Sequence, residues 1–188
     1  VYVLGPLLAR FGHARVSMPG GCAWGPRPID LHLQAMESLG ATIRLDHGTI
    51  DAKGAPLRGA EIDFPISSVG ATGNTVMAAV LAEGKTVLRN VAREPEITAL
   101  CDFLVKMGAH LEGIGEATLE IEGADELHAT DAAVIPDRIE AGTYLVAGAL
   151  TGGDLVITGA DPEHLPSTLS VRRSARLALT AEDRGLRV

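Results

Sequence analysis

The stretch Pro19-Gly20-Gly21-Cys22-Ala23-Trp24-Gly25-Pro26-Arg27-Pro28-Ile29-Asp30-Leu31-His32 concentrates side chains with chemical potential. Its first ten residues hold three glycines and three prolines around a single thiol. That composition resists regular packing and suits a loop able to move as a lid. Arg27 offers a planar, permanently charged fork matched to carboxylate or phosphate. Pro28 is placed to open a helix, because the first helical turn has no use for its missing N–H, and the free amides of such a turn attract anions. A thiol, a guanidinium and a helix start on one loop suit a small dianionic substrate. On the residues alone a second reading stands beside this one, a surface loop with an incidental thiol.

The elements that must position this loop form an internal repeat. An apolar helix, a glycine turn and a β-branched run recur at Leu7-Leu8-Ala9-Arg10-Phe11-Gly12 with Ala14-Arg15-Val16-Ser17, at Val80-Leu81-Ala82-Glu83-Gly84 with Thr86-Val87-Leu88, and at Ala149-Leu150-Thr151-Gly152-Gly153 with Leu155-Val156-Ile157. Gly12, Gly84 and Gly153 lie 72 and 69 residues apart, and Pro28, Pro95 and Pro162, which open the following helices, lie 67 and 67 apart. Ile29, Leu31, Leu33, Met36 and Leu39 before Gly40 have helical spacing, as do Ile97, Leu100, Leu104 and Met107 before Gly108. Strands are expected at 41–45 and 117–122. Each period is a mixed helix–strand module that buries its apolar face against its neighbours. The first copy lacks a front half, and the last is expected to break down after Pro162, where Arg172-Arg173-Ser174-Ala175-Arg176 stands in place of a glycine cap. The expectation is a chain, residues 1–188, cut from something larger at both ends, which its opening without Met also suits.

Composition sets outer limits. The 188 residues suffice for one domain with a sizeable core or two very small ones, and 46% hydrophobic with 21% charged residues excludes wholesale disorder. With 3% aromatic residues the core must rest on Val, Ile, Leu and Ala. A net charge of −8 argues against nucleic acid, so any anion must be held by a few placed basic groups. No apolar run approaches the roughly 18 residues that span a bilayer, and the apolar opening Val1–Ala9 lacks the basic leader of a signal peptide. Cys22 and Cys101 make no disulfide framework, which favours the cytoplasm.

The cysteine loop with Arg27-Pro28-Ile29-Asp30-Leu31-His32 closely resembles the UDP-N-acetylglucosamine 1-carboxyvinyltransferase family, within the EPSP synthase-like superfamily. Leu4-Gly5-Pro6-Leu7, Ser68-Val69-Gly70-Ala71-Thr72, Ala92-Arg93-Glu94-Pro95-Glu96-Ile97 and Pro136-Asp137-Arg138-Ile139-Glu140-Ala141-Gly142-Thr143 agree in the family's order, over residues 1 to about 165. The resemblance implies an inside-out α/β barrel-like domain built from repeats of roughly 70 residues, represented here in part, with the family's second domain outside this chain. It implies transfer of the enolpyruvyl group of phosphoenolpyruvate to the 3-hydroxyl of UDP-N-acetylglucosamine with release of phosphate, the first committed step of peptidoglycan synthesis. By the same resemblance Cys22 is the general acid and the site of a covalent adduct. Arg27 contacts both substrates, Pro28, Ile29, Asp30 and Leu31 line the uridine pocket, and Ile66, Ser67, Ser68 and Val69 form a second nucleotide-sugar stretch. Ile66 stands where some relatives carry Lys. No metal or organic cofactor is implied, and the isolated chain is expected to be inactive. The alternatives are a 3-phosphoshikimate 1-carboxyvinyltransferase-like enzyme, which lacks this cysteine loop, and a nucleotide-sugar-binding module without activity.

Other candidates read as structural. Cys101 falls on the apolar side of a helix and His32 in a first turn, where capping or packing competes with catalysis. Asp137-Arg138-Ile139-Glu140 and Arg93-Glu94-Pro95-Glu96 read as helix starts with acidic first turns. The glycines of 68–73 lack a following Walker lysine, and no His/Cys/Asp spacing suggests a metal site.

Overall fold

The structure is a computed structural model, which describes residues 1–20, 29–175, 180–182 and 185–188. These form two compact units, residues 1–132 and 133–188.

The first unit opens with helix α1, Leu4–Phe11. It stops at Gly12, whose φ of +68° lets its N–H reach back to the Leu8 carbonyl. Strand β1, His13–Ser17, follows, then helix α2, Asp30–Ser38. Strands β2, Thr42–Asp46, and β3, Thr49–Lys53, make a hairpin over His47-Gly48. Both turn residues have positive φ, 45° and 76°, the geometry that matches the right-handed twist of the paired strands. β3 lies between β1 and β2, antiparallel to both.

The next module begins with a short strand, β4, Glu61–Asp63, followed by helix α3, Val69–Ala79, and strand β5, Lys85–Arg89, which runs parallel to β4. Helix α4, Pro95–Lys106, starts on its proline, and strands β6, His110–Glu112, and β7, Thr118–Glu122, close a sheet of order β4-β5-β7-β6. The helix expected over 80–83 is absent; α3 ends at Ala79 and a turn leads to Gly84 at φ +85°. α3 is buried almost all round, Ala71 through Ala79 with Met77 as the part-exposed member. Leu4, Leu8, Met36, Leu39, Ile50, Val76, Leu88, Leu119 and Ile121 share its core.

In the second unit helix α5, Arg138–Thr151, carries Ala141, Leu145 and Gly148 on its buried face. Strand β8, Val156–Thr158, helix α6, Pro166–Ala175, and strands β9, Thr180–Glu182, and β10, Gly185–Arg187, follow, in the order β8-β10-β9. Three times the chain therefore writes helix, strand, helix, hairpin, with the last hairpin strand in the middle of the sheet. The expected breakdown of the third copy does not occur. Pro162 opens only a single 3₁₀ turn, its start held by Asp161, whose carboxylate accepts the Glu163 N–H, and Pro166 takes over as the helix opener. Gly185 marks the pairing of β10 with β8: a Cβ there would fall 1.9 Å from the Ile157 carbonyl oxygen.

Candidate functional site

Cys22, Arg27 and Pro28 lie outside the described residues, and with them the expected lid. The remaining predicted site residues fall on the starts of two helices, α2 and α3.

At the start of α2, Ile29 is half-buried and packs on the core, Asp30 is exposed in the first turn, and Leu31 is buried. Leu31 therefore anchors the helix, so its side chain faces the core and only its backbone is left to face a ligand. At the start of α3, Ile66 and Ser67 are exposed, and Ser68 is the N-cap. Its hydroxyl accepts the Ala71 N–H at 3.3 Å, and the first intrahelical bond runs from Thr72 N–H to the Ser68 carbonyl. Helix geometry leaves the Val69 and Gly70 amides without an intrahelical acceptor, and the helix dipole adds partial positive charge there. Ile66, 65% exposed, brings apolar surface where a lysine would have added charge.

Asn74 and His32 tie the two helix starts together. Asn74 lies on α3 and is fully buried. Its Oδ1 accepts the Gly5 N–H of α1 at 2.7 Å, while its Nδ2 donates to the Val1 carbonyl at 3.4 Å and pairs with His32 Nδ1 on α2 at 3.0 Å. α1 comes so close that a Cβ on Gly5 would sit 2.2 Å from the Asn74 carbonyl oxygen. Burial holds the His32 pKa below its ordinary value, and Asp30 opposes. His32 thus has the packing role weighed from sequence. Asn74 was not singled out there, and its signal is slight: one amide in a helix of Ala, Gly, Thr and Val.

The other candidates are structural as read. Asp137 caps α5, its Oδ1 accepting the Ile139 and Glu140 amides at 2.8 and 3.0 Å. Glu94 precedes Pro95 at the start of α4, without a side-chain cap. Cys101 is buried on α4, where desolvation, helped by Asp102, pushes its thiol up to about 11. Among the described residues no cluster of three His, Cys, Asp or Glu side chains is placed to hold a metal ion, and no helix is long and apolar enough to cross a membrane.

The geometry offers two adjoining helix starts, one with free amides, held by a buried amide–imidazole pair. The profile of the family described as EPSP synthase (3-phosphoshikimate 1-carboxyvinyltransferase) matches residues 1–186. A protein of Chlorobaculum parvum named UDP-N-acetylglucosamine 1-carboxyvinyltransferase is 65% identical over 97% of this chain and 44% of its own length. One of the same name from Chlorobium chlorochromatii is 64% identical over 90% of the chain and 40% of its own. The chain thus spans less than half the length of these relatives. The crystal structure of the enolpyruvyl transferase NikO from Streptomyces tendae aligns with all of the chain and 46% of its own, at a TM-score of 0.83 and 25% identity. EPSP synthase from Acinetobacter baumannii shares the fold at a TM-score of 0.70 and 21% identity, over 100% of this chain and 45% of its own.

Proposed function

Since the chain belongs to the EPSP synthase family, we propose that it forms the cysteine-bearing part of a UDP-N-acetylglucosamine 1-carboxyvinyltransferase. The observation that carries this reading is the 65% identity to the Chlorobaculum parvum protein of that name. A 3-phosphoshikimate 1-carboxyvinyltransferase has weaker support, since the structure of that type is 21% identical.

In this reading the 3-hydroxyl of UDP-N-acetylglucosamine attacks C2 of phosphoenolpyruvate as Cys22 delivers a proton to C3, and the hydroxyl proton passes to a base. Elimination of phosphate and of one C3 proton from the tetrahedral intermediate then leaves the enolpyruvyl ether. A thiol suits this duty, because its reference pKa of about 8.5 keeps it protonated near neutral pH. Arg27 pairs with phosphoenolpyruvate and the nucleotide sugar. Pro28, Ile29, Asp30 and Leu31 line the uridine, Leu31 through its backbone. Ser67, Ser68 and Val69 receive the diphosphate, with the α3 amides supplying what Ile66 does not. The reaction calls for no metal or organic cofactor. It is cytoplasmic, feeds peptidoglycan synthesis and so cell shape and division, and draws its remaining residues from a second domain of the same polypeptide.

The test is phosphate release by the complete polypeptide supplied with both substrates. Turnover that disappears in Cys22→Ser supports the reading. Binding of nucleotide sugar without phosphate release would favour a binding module, and turnover of shikimate 3-phosphate instead would favour the sister enzyme.

A further inference from the structure

We draw no further inference here: the strongest candidate, the groove of about 410 Å³ in the second unit between α5 and the outer edge of β8, lined by Tyr144, Leu155, Val156 and Ile157, carries nothing because nothing in the structure shows what covers it.

Discussion

The Cys101 thiol yields a quantitative prediction about the first unit. It lies 1% exposed on α4, and burial, with help from the Asp102 carboxylate, moves its pKa from 9.0 to about 11. Below the lower value the thiol is neutral whether the chain is folded or unfolded, so it adds no pH dependence. Between the two values the unfolded thiol gives up its proton while the folded one keeps it, and unfolding becomes progressively easier. Two units of separation at about 1.4 kcal/mol each place the loss at roughly 2 to 3 kcal/mol across that interval. Cys101→Ala removes the titrating group at a packing cost that does not vary with pH. Urea unfolding of both proteins from about pH 8 to about pH 11 isolates the effect, since other groups largely cancel in the difference. The parent's advantage over the variant should shrink by that amount as pH rises. A difference that stays flat would mean that the thiol titrates normally and that α4 does not bury it.

Fosfomycin, an epoxide phosphonate resembling phosphoenolpyruvate, should form its adduct on Cys22 in the presence of nucleotide sugar and leave Cys101 unmodified; Cys22→Asp should retain turnover and escape inactivation, both read by mass mapping and phosphate release. The 188-residue chain alone should release no phosphate from the two substrates, because it spans less than half of its relatives. Gly5→Ala forces a methyl to 2.2 Å from the Asn74 carbonyl oxygen and 2.6 Å from its Oδ1. Overpacking plus a stranded buried amide should cost about 2 to 5 kcal/mol, seen as a lowered urea midpoint. Asp137→Ala removes the acceptor for two α5 amides and should cost about 1 kcal/mol by the same measurement.

Much of the architecture was legible because glycine and proline mark it. Gly12, Gly40, Gly84 and Gly108 all adopt positive φ where the sequence places the ends of elements, and Pro95 opens α4. Apolar spacing found α2 and α4 and the apolar run Leu7–Phe11 found α1, whereas α3 and α6 were not found that way; β-branched runs found β1, β5, β7 and β8. Strands of three residues, such as β4 and β6, are too short to show alternation, and β4 gains its identity from parallel pairing with β5, a contact no local pattern encodes. The third module was misread because Pro162 and Pro166 compete as helix openers and the chain around 172–176 lacks the expected glycine. Of the site, a helix start near Pro28 was readable from the proline and the apolar spacing after it, whereas the 66–69 stretch came only through the resemblance. The bond between His32 and Asn74 was not, since it joins residues 42 positions apart.

The surroundings of α3 explain much of its composition, which helix propensity alone does not. Gly70, Gly73 and the β-branched Thr72, Thr75 and Val76 are poor choices for an isolated helix. Gly70, Gly73 and Thr72 answer to neighbours instead, and Thr75 to its own helix. Gly70 leaves room for the His32 ring, and Gly73 for the Tyr2 hydroxyl, which a Cβ would meet at 2.1 Å. Thr72 Oγ1 accepts the Ala92 amide, and Thr75 returns its hydroxyl to the Ala71 carbonyl, so both buried polar groups are paired. The helix is therefore held by what surrounds it, and substitutions that raise its intrinsic propensity, such as Gly70→Ala, should displace the imidazole before they stabilise the fold. A helix that begins after the Ser68 cap and carries Asn74 in its interior is positioned by packing on nearly every side. Several of the residues that look least helical in it are those through which the core sets its position.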